Sequence, residues 1–131
     1  MNVFVDPSAF LAVLGRGDTS HLAAKKHWEK MLTDKDDLVC HTCIVVETSA
    51  LILRRLGIEA GHVFEQDIVP ILRLIWATRD IHEAAVSAHL VANRRTLSLV
   101  DCVSFEIMRR TGVQKAFAFD RHFQEYGYEC V

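Results

Sequence analysis

The chain opens Met1-Asn-Val-Phe-Val-Asp6, with three consecutive apolar positions at Val3, Phe4 and Val5. Successive residues of a strand face opposite sides of a sheet, so an unbroken apolar run predicts a strand buried on both faces, as in a parallel sheet. Pro7 suits a helix start, and Ser8 to Leu14 continues as a helical apolar stretch until Gly15-Arg16-Gly17 interrupts it. After Ser20, a natural N-cap, Ala24, Trp28 and Met31 recur at helical spacing with Lys25, Lys26 and Lys30 outward. That pattern predicts an amphipathic helix to about Leu32, and Thr33 to Asp37 is a polar turn. Leu38-Val39-Cys40 predicts a second strand, and Thr42 a cap for a helix running through Glu47 to Arg55 and stopping at Gly57.

Ile58 to about Ile68 predicts another helix, weakened by Gly61 and closed by Pro70. Ile71 to Trp76 reads as a third strand. Thr78 opens a helix with the apolar stripe Ile81, Ala84, Ala85, Ala88 and Val91, and Ser98 caps the next, which carries Leu99, Val103 and Ile107 to Gly112. Lys115 to Phe119 predicts a fourth strand followed by Asp120, and after a turn at Phe123 to Gly127, Tyr128 to Val131 supplies an edge strand. Strands separated by helices predict an α/β fold: a central, mainly parallel sheet of four to five strands flanked by helices. No repeat, low-complexity tract or linker divides the chain, so one domain over 1–131 is expected.

Ligands of open parallel sheets gather at the carboxyl ends of the strands, where helix N-termini converge. Asp6 and Asp120 follow strands, Glu47 lies in the first turns of a helix that follows one, and Asp101 lies in the first turn after the Ser98 cap. All four acids therefore map to one edge of the sheet. Each Asp alone has a plain reading as a cap, turn former or first-turn acid favoured by the helix dipole. Glu47 fits such a reading least, because Ile44, Val45, Val46, Ala50 and Leu51 surround it with apolar positions. Four converging carboxylates repel one another and raise their pKa values unless a cation compensates. An oxygen-only ligand set favours Mg²⁺ or Mn²⁺, and such an ion can polarise a phosphate, acidify a bound water and steady a leaving oxygen.

Four segments carry a family resemblance: Val3 to Ala9 (VFVDPSA), Ile44 to Leu51 (IVVETSAL), Leu97 to Phe105 (LSLVDCVSF) and Ala116 to Phe123 (AFAFDRHF). Spread over the whole chain in this order, they resemble PIN-domain proteins, and within those the VapC-type ribonuclease toxins of toxin–antitoxin pairs. The family's four acids fall on Asp6, Glu47, Asp101 and Asp120. The resemblance implies a PIN fold, Mg²⁺- or Mn²⁺-dependent cleavage of RNA, a homodimer and inhibition by a cognate, VapB-like antitoxin. One departure stands out: the family usually has Thr or Ser after the first Asp, and here Pro7 removes both that hydroxyl and a backbone N–H. That change bears on the rate rather than the fold. The rival is a non-catalytic PIN-like RNA-binding or scaffold protein with Pro7 as its lesion. Receiver-like and phosphatase readings fail because Asp120 and Ser8 stand where a lysine and a second acid are needed.

Composition narrows the remaining choices. A net charge of −2 excludes a uniformly basic nucleic-acid coat and leaves room for a local basic groove. Arg94 and Arg95 precede the Asp101 helix and are candidate contacts to the RNA backbone, with Ser8 a third candidate substrate contact. Arg54-Arg55 and Arg109-Arg110 end helices, where cations complement the dipole. No run approaches the roughly 18 apolar residues that span a bilayer, and the N-terminus lacks a signal-peptide pattern, so a cytoplasmic protein without a membrane partner is expected. Four cysteines in a chain of this size read as reduced thiols, and Cys40-x-x-Cys43 has no second pair to complete a zinc site. His82 and His89 lack ligand partners, and His122 is given no catalytic role, because metal-activated water removes the need for a protein base. The Ser20–Leu32 helix, with Trp28 and Met31, and the Ile58–Ile68 helix are expected to wall an apolar groove for the antitoxin tail.

Overall fold

The computed structural model describes residues Met1–Val131. Five strands, β1 (Asn2–Val5), β2 (Asp37–His41), β3 (Arg73–Ile75), β4 (Lys115–Phe117) and β5 (Glu129–Cys130), form one sheet in the order β3-β2-β1-β4-β5. Every pairing is parallel, with Phe4 of β1 level with Val39 of β2 and Ala116 of β4. The apolar run Val3-Phe4-Val5 is buried on both faces because β1 is the central strand.

Seven helices flank this sheet: α1 (Pro7–Leu14), α2 (His21–Thr33), α3 (Thr42–Leu56), α4 (Ile58–Val63), α5 (Arg79–Ala92), α6 (Leu99–Thr111) and α7 (His122–Glu125). Helix α1 packs on α2 and α3, and α5 on α6. The core joins both groups through aromatic rings. Phe10 meets Phe64 edge-on at 5.1 Å, and Phe4 lies 6.1 Å from Phe123. Phe4, Phe10, Phe64, Phe117 and Phe123 are all fully buried, and truncating any one to Ala removes about 3–5 kcal/mol of stability. Helix α6 ends at Gly112, whose φ of +74° is a left-handed cap conformation that a side chain would strain.

Several boundaries differ from the sequence reading for local reasons. Thr42 is the first helical residue of α3, while His41 is its N-cap and accepts the Ile44 N–H through Nδ1. The Thr42 hydroxyl instead accepts the backbone N–H of Ala77, tying α3 to the end of β3. Ser20 caps α2 by position only, without a side-chain hydrogen bond. The expected Ile58–Ile68 helix is α-helical to Val63, then widens to a π turn over Phe64–Ile68 and tightens to a 3₁₀ turn over Val69–Ile71. Strands β3 and β5 are shorter than Ile71–Trp76 and Tyr128–Val131, and Val91, placed in the α5 stripe, is 85% exposed. Trp28 and Met31 are core residues, Trp28 packed against the edge of Phe10, so what is corrected is their expected use as anchors in the wall of a groove for a bound tail.

Candidate active site

Strand order reverses between β1 and β4: the chain steps outward from β1 to β2 and β3, then returns to place β4 on the other side of β1. A crevice opens at the carboxyl ends of two strands where such a reversal occurs. Asp6 directly follows β1, and Asp120 lies three residues beyond the end of β4. A cleft of about 320 Å³ there is lined by Asp6, Glu47, Asp101 and Asp120, together with Pro7, Ser8, Thr96 and Ser98. The structure thus brings all four sequence-selected acids to one depression.

Local hydrogen bonds aim three of these carboxylates. Asp6 is the N-cap of α1, and its Oδ2 accepts the Ser8 N–H at 3.1 Å and the Ser8 hydroxyl at 2.6 Å. Asp101 forms a capping box with Ser98: its Oδ2 accepts the Ser98 N–H at 3.0 Å, and its own N–H donates to Ser98 Oγ at 3.1 Å. Asp120 Oδ1 accepts the backbone N–H of His122 at 2.9 Å. In each case the second carboxylate oxygen accepts no protein hydrogen bond and remains available to the cleft. The plain reading of these acids as cap and turn formers therefore holds, and it leaves one oxygen of each without a protein hydrogen bond.

No lysine or arginine forms an ion pair with any of the four acids. Burial pushes the Asp6 carboxyl up to about 7, opposed by the Ser8 hydrogen bonds and reinforced by the charges of Asp101 and Asp120. Glu47, in the second turn of α3, is raised by partial burial and then by Asp101. Such a cluster is costly without a cation and becomes a ligand set with one.

Sequence reasoning set His122 aside, yet its ring belongs to this cluster. Nδ1 lies 2.8 Å from Asp120 Oδ1 and 3.4 Å from Asp101 Oδ2. It is inaccessible to solvent and makes no hydrogen bond, since neither carboxylate lies in line with it. Asp101, Asp120 and His122 each place one donor atom within 4.8 Å of the other two. The oxygens nearest this orphaned nitrogen, Asp120 Oδ1 and Asp101 Oδ2, each already accept one backbone N–H and keep a further lone pair, so the three donor atoms together fit a divalent cation. The signal in the sequence was its position two residues after an acid at a strand end.

The other candidates sort differently. The Ser8 hydroxyl spends its proton on Asp6 and accepts the Phe119 N–H at 3.0 Å, so it is an internal brace that cannot donate to a phosphate. Arg94 is paired with Glu125 at 2.9 Å, while Arg95 beside it is exposed and forms no ion pair. Cys40 is buried with its thiol pushed up by desolvation, and all four cysteines are free.

No family model matches the chain. It is 33% identical over 128 residues to the 23S rRNA-specific endonuclease VapC20 of Mycobacterium tuberculosis, covering 96% of this chain and 95% of that protein. The chain belongs to the VapC family of PIN-domain toxins. The crystal structure of VapC20 from the same organism, described as a sarcin-ricin loop cleaving toxin, matches with a TM-score of 0.86 at 30% identity, over 96% of this chain and 95% of that one. FitAcB from Neisseria gonorrhoeae shares the fold at a TM-score of 0.70 and 12% identity, over 99% of this chain and 96% of that one. The five-stranded parallel sheet and flanking helices are thus the VapC architecture.

Proposed function

We propose that this VapC-family chain is an endoribonuclease that hydrolyses RNA phosphodiester bonds with Mg²⁺ or Mn²⁺, acting in the cytoplasm as the toxin of a toxin–antitoxin pair. The observation that carries this reading is the cleft itself: four carboxylates line one depression at a strand-order reversal, and no lysine or arginine is paired with them. Asp6, Glu47, Asp101 and Asp120 would hold the ion or its waters. A bound divalent cation there supplies charge to the scissile phosphate and acidifies water.

The chain's own residues do the positioning. Asp6 and Asp101 are anchored at the first turns of α1 and α6, so their free oxygens are held without the entropy of a mobile side chain. Ser8 links Asp6 to the backbone at Phe119, next to Asp120, and so keeps the acids from β1 and β4 in register. Arg95, on the loop between α5 and α6 that also supplies Thr96 and Ser98 to the cleft, supplies positive charge for the RNA backbone.

For the substrate, the relation to VapC20 favours an unpaired loop of large-subunit ribosomal RNA. Bases and phosphates of a loop can bend into a recessed cleft that a rigid A-form helix approaches poorly. A homodimer and a VapB-like antitoxin follow from the family, and the exposed apolar side chains of Val46, Trp76, Leu90 and Val91 are surface available to them. No helix is long and apolar enough to cross a membrane.

The test is cleavage of purified ribosomal RNA by antitoxin-free protein in Mn²⁺, mapped by primer extension. Discrete cuts that vanish with EDTA and with Glu47→Gln are expected. Cleavage undiminished by EDTA overturns the metal requirement, and no cleavage of any RNA returns the chain to the non-catalytic reading.

A further inference from the structure

The buried Nδ1 of His122 has neighbours but no partner. A buried polar atom left without a hydrogen bond costs about 1–3 kcal/mol, so its persistence in a well-packed site calls for a ligand. The distances say which kind. Adjacent ligands of an octahedral ion lie about 3 Å apart when each bond is about 2.1 Å, and each ligand then sees its neighbour about 45° off its own lone-pair axis. His122 Nδ1 stands 2.8 Å from one carboxylate oxygen and 3.4 Å from another, both out of line for a hydrogen bond. Straight hydrogen bonds to either acid would have a different geometry.

Position reinforces the point. The backbone N–H of His122 is donated to Asp120, which fixes the start of α7 against the loop that carries that acid. The ring is 12% exposed, close to the 14% of the Asp101 side chain it faces. Mn²⁺ is the weakest nitrogen binder of the first-row divalent series but still accepts an imidazole more readily than Mg²⁺, which prefers oxygen and retains its water.

We propose that His122 is a nitrogen ligand, completing with Asp101 and Asp120 a mixed nitrogen–oxygen site that selects Mn²⁺ over Mg²⁺. The inference rests on the metal-dependent reading of the cleft. It assigns the His122 proton to Nε2, with the neutral ring's Nδ1 lone pair directed at the ion. His122 is thereby a ligand rather than a general base.

The test is electron spin echo modulation of the full-length protein loaded with Mn²⁺, together with calorimetric affinities for Mn²⁺ and Mg²⁺. Wild type should show coupling from a directly bound ¹⁴N, replaced by the ¹⁵N pattern after labelling with ¹⁵N-histidine, which needs no mutation. His122→Gln, checked for folding by circular dichroism, should lose the coupling and about tenfold in Mn²⁺ affinity, while Mg²⁺ affinity changes less than about threefold. Stoichiometric Mn²⁺ binding without nitrogen coupling, or equal losses for both ions, overturns the nitrogen ligand and leaves the metal site standing. Failure of wild type to bind either ion overturns the metal reading as well.

Discussion

Ser8 Oγ accepts the backbone N–H of Phe119 at 3.0 Å while donating its own proton to Asp6 at 2.6 Å. One hydroxyl therefore couples the acid after β1 to the loop carrying the acid after β4. Ser8→Ala removes a charge-assisted bond and leaves a backbone N–H without its partner, a loss of about 1–3 kcal/mol that melting in EDTA will show. The carboxyl of Asp6, no longer held down by the hydroxyl, rises further, so the acid limb of the cleavage profile should move to higher pH. Ser8→Thr retains the oxygen and should keep both properties near wild type.

Asp101→Asn distinguishes a ligand from a cap. The amide oxygen can still accept from Ser98, so the capping box survives, and removing one charge from the cluster relieves repulsion on Asp6 and Glu47. The metal-free variant should melt at or above wild type yet lose cleavage by about a hundredfold or more. Mn²⁺ should raise the wild-type melting temperature more than the variant's, because a ligand stabilises by its binding free energy to the folded state. Equal metal-induced shifts would remove Asp101 from the site.

Two buried groups oppose each other in pH. Asp6 is raised to about 7 by burial, so the folded state holds more protons than the unfolded one between about 4 and 7, and stability falls as pH rises there. His41 is lowered to about 4 by burial, so the folded state holds fewer protons between about 4 and 6.5, and stability rises with pH. The metal-free wild type should therefore be nearly flat across that window. Asp6→Asn should expose the rising limb and His41→Gln the falling one, each with a slope of at most about 1.4 kcal/mol per pH unit. Denaturant melts in EDTA from pH 4 to 8 measure both, and parallel profiles for the two variants would refute the opposition.

Arg94 and Arg95 should separate in RNA binding although they are neighbours. Arg94 is committed to Glu125 in an exposed pair that solvent screens, so Arg94→Ala should act mildly and on stability. Arg95→Ala should weaken binding of a loop RNA to protein carrying Glu47→Gln and reduce the salt slope by about one. Fluorescence anisotropy at several salt concentrations checks this. An unchanged slope would take Arg95 off the RNA path.

Local chemistry made much of this protein readable along the chain. Val3-Phe4-Val5 announced a doubly buried strand because strand periodicity is a property of consecutive residues, and Ser98 with Asp101 announced a helix start because a capping box closes within four residues. The acids at Asp6, Glu47, Asp101 and Asp120 could be placed on one edge for the same reason: each follows or starts an element whose direction in a parallel sheet is shared. What the tertiary structure alone decided lies between distant segments. The reversal of strand order put β4 beside β1, which set Phe119 against Ser8 and the Asp101 carboxylate against the His122 ring across separations of 111 and 21 residues. It also buried Trp28 and Met31 and handed the α3 cap from Thr42 to His41, whose ring reaches Ser104 at 2.9 Å. Hydrophobic spacing reports which side of an element faces inward; which side chain it meets there depends on packing between elements that the chain brings together only when folded.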